Sequence, residues 1–114
     1  MSPTFHSPTF RSLVVPVSDL DAAKAVYTAL LGAPHTDTPY YVGFAAGGFE
    51  VSLAPGDPAG GPVAYADVDD LDAAREALLA ASATERDAPR QIAREARVCV
   101  LTDTDGNPIG LRGR

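Results

Sequence analysis

Two ten-residue stretches of the chain share the same order of apolar and polar positions. SDLDAAKAVY begins at Ser18, and DDLDAAREAL begins at Asp69, 51 positions later (69 − 18). In each stretch the apolar residues recur at the three- and four-residue spacing of an amphipathic helix. The sequence therefore predicts two helices in equivalent places, one in each half of the chain.

Both predicted helices carry signals at their ends. Ser18 and Asp69 stand where an N-cap oxygen can accept from the free first-turn amides. Gly32 follows the first helix and ends it, since glycine adopts the backbone conformation of a helix stop. The second helix has no such residue and is expected to end near Ser82.

Extended runs surround the helices. RSLVVPV and PVAYADV precede the first and second helix, respectively. YYVGFAA and FEVSLA flank a Gly-Gly turn after the first helix, and RVCVLT and PIGLR flank the turn DTDGN after the second. Each pair predicts a hairpin, and further short strands are expected near residues 35–38 and 84–88. The Pro- and Gly-rich segment 54–62 joins the halves, so the chain is predicted to be an internal duplication.

Charge and cysteine usage exclude several classes of partner and location. The net charge of −6 and the isoelectric point near 4.6 argue against a nucleic-acid or anionic-membrane surface. No apolar run approaches the length of a membrane span, and the N-terminus lacks the features of a signal peptide. Cys99 is the single cysteine, so no internal disulfide can form. We expect a cytoplasmic protein whose partner is a small molecule or another protein.

Three segments resemble the glyoxalase, bleomycin-resistance and extradiol-dioxygenase superfamily, whose members are also called vicinal oxygen chelate proteins. They are VPVSDLDAAKAVYTALLGA, GGFEVSL and DTDGNPIGL. The resemblance implies an α+β fold in which two tandem βαβββ modules form a curled, mostly antiparallel sheet with a concave ligand face. It also implies a homodimer. We expect residues 1–10 to be an N-terminal tail, 11–54 module one, 55–61 a linker and 62–114 module two, with both modules in a single domain.

Enzymes of this superfamily generally hold a divalent metal on the concave face. The resemblance places the four ligand positions on Ser12, Val63, Ser52 and Gly110. Two of these side chains offer no donor atom, and none is the imidazole or carboxylate that such metals prefer. His6 and His35 are expected to be solvated or capping residues. We therefore predict no metal and no cofactor.

The alternation of side chains along each strand predicts which further residues face the ligand together with these four positions. Residues an even number of positions away on the same strand share the face, whereas Val98 and Val100 are expected to face a helix. The face of the YYVGFAA strand is left open, so Tyr41 and Phe44 are provisional members. The predicted ligand-binding residues are Ser12, Val14, Tyr41, Phe44, Glu50, Ser52, Val63, Tyr65, Asp67, Arg97, Cys99 and Arg112.

Three functions remain open on this reading. The first is a metal-free protein that binds a small organic molecule between aromatic and aliphatic walls, oriented by charged side chains. The second is a metal-independent lyase or isomerase acting on a small polar metabolite. In that case Glu50 or Asp67 would be a general base with a pKa raised by burial. The third is a scaffold dimer without a ligand.

Overall fold

The computed structural model describes residues 8–114. The described chain divides into two compact units: unit one spans residues 11–63, and unit two spans residues 64–114 together with the described residues before 11. His6 and most of the expected N-terminal tail lie outside the described residues. The expectation that both modules form a single domain stays a prediction.

The secondary structure repeats the same order of elements in each half. The elements are β1 (Thr9–Val17), α1 (Leu20–Leu31), β2 (Thr36–Thr38), β3 (Tyr41–Ala46), β4 (Phe49–Pro55), a 3-10 turn (Pro58–Gly60), β5 (Val63–Asp67), α2 (Leu71–Ala80), β6 (Thr84–Ala93), β7 (Ala96–Thr102) and β8 (Pro108–Gly113). Neither helix is long and apolar enough, within the described residues, to cross a membrane.

The strands of each unit pair in the same topology. In unit one the order is β2-β3-β4-β1, with β1 parallel to β4 and the other pairs antiparallel. In unit two the order is β5-β8-β7-β6, again with one parallel pair, β5 with β8. The predicted α+β fold with two βαβββ repeats is confirmed.

The core of unit one lies between α1 and one face of its sheet. Val42, Phe44 and Leu53 are buried there, and Val15 and Tyr27 pack against them. The rings of Tyr27 and Phe44 are 6.2 Å apart between centroids, within the range of attractive aromatic pairs. Phe44 therefore faces the helix, which contradicts its provisional place in the ligand-facing set.

The core of unit two is built in the same way under α2. Its buried members are Ala66, Val68, Leu71, Ala74, Cys99, Leu101 and Leu111. Cys99 pairs with Leu111 across β7 and β8, so both point toward the helix. We expected Cys99 to face the ligand side and Val98 and Val100 to face the helix. This expectation is wrong: the two faces of β7 are exchanged, as a shift of one residue along a strand produces.

Both N-caps lie one residue after their predicted positions. The carboxylate of Asp19 accepts from the amide of Ala22 at 3.1 Å, and that of Asp70 accepts from the amide of Ala73 at 3.0 Å. An aspartate one residue closer to the first turn reaches the free amide and adds a negative charge at the positive end of the helix. Ser18 and Asp69 are therefore not the caps.

Strand β6 runs five residues past the expected end at residue 88. Its register with β7 shifts between Asp87 and Arg90, which pair with Val100 and Val98. Two residues, Ala88 and Pro89, therefore oppose the single residue Cys99. Proline has no N–H to donate to a ladder, so a bulge is where a strand tolerates it. The proline interrupts the alternating pattern of side chains, so the sequence predicted too short a strand.

Because Cys99 is buried, its thiol should react slowly in the folded protein. It is 1 % exposed, and burial raises its pKa, so little thiolate is available. We expect labelling by Ellman's reagent at neutral pH to be at least about 100-fold slower in the native chain than in urea. Labelling of the native chain at the unfolded rate would contradict the burial of Cys99.

Candidate functional site

The sheet face of unit one that points away from α1 carries polar side chains at its centre; we call it the helix-free face. Cross-strand register places Ser12 opposite Glu50 and Val14 opposite Ser52. Gly43 in β3 pairs with Ser52, and Tyr41 lies on the same face two residues earlier. The predicted set Ser12, Val14, Tyr41, Glu50 and Ser52 thus shares one face.

The carboxylate of Glu50 is the centre of a hydrogen-bonded cluster on this face. The hydroxyl of Tyr41 donates to Oε2 of Glu50, and the hydroxyl of Ser52 lies 3.0 Å from the same oxygen. The two hydroxyl oxygens are 2.7 Å apart. On the other side, Nε2 of His35 lies 3.2 Å from Oε1 of Glu50. We call Tyr41, Glu50, Ser52 and His35 the Glu50 cluster.

His35 reaches the Glu50 cluster because Gly43 has no side chain. A Cβ at Gly43 would lie 2.9 Å from Cε1 of His35 and 3.0 Å from Cε1 of Tyr41, closer than side chains tolerate. The amide of His35 donates to the carbonyl of Gly43 at 2.9 Å, and its Nδ1 lies 2.8 Å from Oγ1 of Thr36. Both rings therefore pack directly on the backbone of β3.

His35 is the member of the Glu50 cluster that sequence reasoning missed. It was expected to be a solvated or capping residue in the loop after α1. The sequence did predict a short strand at residues 35–38, and Thr36–Thr38 pair with β3. The register of a three-residue strand cannot be read from its sequence, so its proximity to Glu50 was not predictable.

The electrostatics of Glu50 favour its charged form. Partial burial raises the pKa of its carboxyl, but hydrogen bonds from Tyr41 and Ser52 and the charge of His35 together hold it below the usual 4.5. A general base that works near neutral pH needs a pKa raised toward that pH. The expectation of a Glu50 pKa raised by burial is wrong, and the carboxylate is instead a fixed anion.

The corresponding face of unit two is covered by an aromatic ring. Tyr65 pairs with Gly110, and Asp67 with Arg112, as alternation predicts for this face. A Cβ at Gly110 would lie 2.5 Å from Cδ1 of Tyr65, so the ring rests on the backbone of β8. Val63, the last residue of unit one, lies two residues before Tyr65 in β5 and is buried. The ring of Tyr65 therefore fills the space beside Gly110, one of the four positions where the resemblance placed a metal ligand.

Arg97 does not lie on the ligand side, in contrast to the prediction. Its guanidinium binds both carboxylate oxygens of Asp72 in α2, at 3.2 and 3.0 Å, and donates to the carbonyl of Arg114 at 2.9 Å. The hydrogen bonds that Arg97 donates to Asp72 raise the pKa of Arg97 and lower the pKa of Asp72. Arg97 therefore ties β7 to the start of α2.

The residues at the four metal positions do not fit a divalent ion. Ser52 is buried within the Glu50 cluster, and the ring of Tyr65 fills the space beside Gly110. Among residues 8–114 there is no group of three or more His, Cys, Asp or Glu side chains that could hold a metal. The four positions thus offer two hydroxyls and neither an imidazole nor a carboxylate, which are the donors of divalent sites.

Two open depressions lie elsewhere on the surface. One of about 690 Å³ lies beside the start of α1 and is lined in part by Asp19, Asp21 and Asp37. The other, of about 560 Å³, lies at the carboxyl ends of β5 and β8 beside Asp67 and Arg112. Neither includes a member of the Glu50 cluster. The Glu50 cluster brings hydrogen-bonded polar side chains together, so we place the candidate site at Glu50.

Known structures share this fold at low sequence identity. A glyoxalase/bleomycin resistance protein/dioxygenase superfamily member from Vibrio splendidus 12B01 aligns with a TM-score of 0.71 and 14% identity, covering 94% of this chain and 98% of that chain. The methylmalonyl-CoA epimerase of Mycobacterium tuberculosis aligns at 0.65 and 20%, covering 99% and 91%. The Mn(II)-bound glyoxalase of Novosphingobium aromaticivorans aligns at 0.64 and 21%, covering 96% and 39%.

At these identities the structural likeness shows the fold alone. No curated protein sequence matches the chain. The family model described as Glyoxalase/Bleomycin resistance protein/Dioxygenase superfamily matches residues 9–111. The match covers both repeats, and the chain belongs to this superfamily.

Proposed function

We propose that the protein binds a small organic molecule, without a metal, on the helix-free face of unit one. The observation that carries the proposal is the Glu50 cluster, a carboxylate held in one orientation by several donors. A charged group that is partly removed from water is costly unless it has partners. A ligand with a basic or hydrogen-bond-donating group would supply a further partner to the carboxylate.

A metal-independent lyase or isomerase is the second candidate, and the Glu50 cluster supports it less. Its base would need a pKa close to the working pH, whereas the pKa of Glu50 is lowered. A scaffold dimer without a ligand would give the Glu50 cluster no role. Binding is therefore the function that the geometry supports best.

A thermal shift screen in EDTA tests the binding proposal against the scaffold alternative. The screen compares small organic cations, neutral hydrogen-bond donors, neutral molecules without donors, and anions. We expect cations and donors to raise the melting temperature, because a ligand at ten times its Kd stabilises the native state by about 1.4 kcal/mol. Stabilisation by none of the four classes would favour the scaffold, and turnover of a stabilising compound would favour the enzyme.

We expect the purified protein to carry no stoichiometric transition metal. Elemental analysis should find well under one zinc, nickel, iron or manganese ion per chain. EDTA should leave the melting temperature unchanged, because the side chains at the four family positions do not form a divalent site. About one ion per chain, or a clear loss of stability in EDTA, would contradict the metal-free proposal.

We also propose that the chain forms a homodimer in a reducing, cytoplasmic compartment. Val26 and Leu30 are exposed on the outer side of α1, at 68% and 78%, and a second copy can cover such apolar surface. The single cysteine, which is buried, suits a reducing compartment. Light scattering at micromolar concentration should give twice the chain mass of 11.8 kDa. A monomer mass under these conditions would contradict the dimer.

A further inference from the structure

We propose that the Glu50 site prefers ligands with an ammonium group to ligands with an amidinium or guanidinium group. This inference rests on the proposed function, because it concerns the same carboxylate. It follows from the contacts that the two carboxylate oxygens of Glu50 already make with other side chains. The number of protein groups that contact each oxygen differs, and that difference sets the geometry left for a ligand.

Two hydroxyl groups contact the oxygen Oε2 of Glu50. The hydroxyl of Tyr41 donates to it, and the hydroxyl of Ser52 lies 3.0 Å from it. A carboxylate oxygen has two lone pairs. The two hydroxyl oxygens also lie 2.7 Å from each other, and Ser52 is only 1% exposed, so both hydroxyls crowd the approach to Oε2. A ligand donor that approaches Oε2 therefore competes with these two hydroxyls.

The oxygen Oε1 of Glu50 has room for one more donor. Nε2 of His35 lies 3.2 Å from it, and no other partner of Oε1 is recorded among the described residues. The side chains of Glu50 and His35 are 37% and 43% exposed, so this side of the carboxylate is open to solvent. One lone pair of Oε1 therefore remains for a ligand.

Cationic groups differ in how many carboxylate oxygens they need. Amidinium and guanidinium groups bind carboxylates best through two parallel N–H donors, one to each oxygen. An ammonium group is a compact point charge that can donate to one oxygen alone. Because two hydroxyls crowd Oε2 and Oε1 is open, the Glu50 site favours the ammonium geometry over the two-oxygen geometry.

Gly43 holds this arrangement in place. The rings of His35 and Tyr41 lie against its backbone, where a Cβ would come within 2.9 and 3.0 Å of their Cε1 atoms. The φ angle of Gly43 is outside the left-handed region, so glycine is not needed here for the backbone. Its missing side chain instead gives the two donors of Glu50 their positions, which makes Gly43 a positioning residue.

Isothermal titration of the EDTA-treated protein with benzylamine and with benzamidine tests the preference. The two probes share an aromatic ring and a positive charge at neutral pH and differ in donor geometry. We expect the wild-type protein to bind benzylamine about tenfold more tightly, the effect of one charge-assisted hydrogen bond. Tyr41→Phe opens one direction at Oε2 and should reduce the preference to less than about threefold. The exposed neighbour provides the control, since Tyr40→Phe should retain the wild-type preference.

A second variant gives an independent result if Tyr41→Phe does not fold. Ser52→Ala removes the other hydroxyl at Oε2 and should likewise reduce the preference for benzylamine over benzamidine. Equal affinity of the two probes for the wild-type protein would overturn the preference and leave the proposed function standing. A preference unchanged in both variants would also overturn it. If neither probe binds saturably, the preference and the proposed cation site at Glu50 both fail.

Discussion

Replacing Phe44 by alanine is expected to lower the free energy of unfolding by about 3–5 kcal/mol. Phe44 is 0% exposed and packs with Val42, Leu53 and the ring of Tyr27 under α1. Removing the ring leaves a cavity that the surrounding side chains fill only in part. Urea denaturation measures the effect, and the midpoint should fall with little change in the slope.

The control for Phe44→Ala is Tyr40→Ala, four residues earlier in the chain. Tyr40 is 80% exposed, so its loss should change the free energy of unfolding by no more than about 0.5 kcal/mol. A loss below about 1 kcal/mol for Phe44→Ala would mean that the ring is not in the core. It would then restore Phe44 to the ligand-facing side, where the sequence had provisionally placed it.

Replacing Glu50 by glutamine is expected to weaken the binding of a cationic ligand by about 1–3 kcal/mol. The amide keeps the shape of the side chain but loses the charge, and it brings an NH₂ group toward the donors around it. Isothermal titration with benzylamine measures the effect. The melting temperature should change little, because the carboxylate is part-exposed and solvent screens its contribution to stability.

The matched control for Glu50→Gln is Glu76→Gln on α2. It changes the net charge by the same amount, and the Glu76 side chain is 73% exposed and lies in unit two. The control should bind benzylamine as the wild-type protein does. Equal weakening in both variants would mean that benzylamine responds to the overall charge of −6 rather than to Glu50.

The repeat of strand, helix and hairpin could be predicted because its signals are local. The helices show a clean three- and four-residue period, and the hairpins are marked by Gly47, Gly48 and Gly106, which all have positive φ angles. In β4, Leu53 alternates with Glu50 and Ser52 strongly enough to fix the face of each. Where polar and apolar residues alternate, parity is readable from the sequence.

The predicted side-chain faces were wrong where a strand is apolar at successive positions. In β7 the run from Val98 to Leu101 is buried at every position, so its pattern fits either face. The expectation that Val98 and Val100 face a helix left Arg97 on the ligand side, but Arg97 pairs with Asp72 on α2. The partner of a charge lies far away in the sequence, so ion pairing of this kind is set by tertiary structure.

The Glu50 cluster was predictable only in part. Alternation placed Glu50 and Ser52 on one face, and Tyr41 remained a provisional member until its strand register was known. His35 joins through the backbone of Gly43, a contact between two strands that no local pattern encodes. The lowered pKa of Glu50 depends on these donors together, so burial alone predicted the wrong direction.

The site itself is tested most directly by an NMR titration of the metal-stripped protein with benzylamine. In amide correlation spectra we expect saturable shifts centred on Gly43, Glu50 and Ser52, with no dependence on added zinc or manganese. The same titration of Glu50→Gln should give much smaller shifts at these positions. Shifts confined to unit two, shifts that need added metal, or no shifts at all would contradict a metal-free cation site at Glu50.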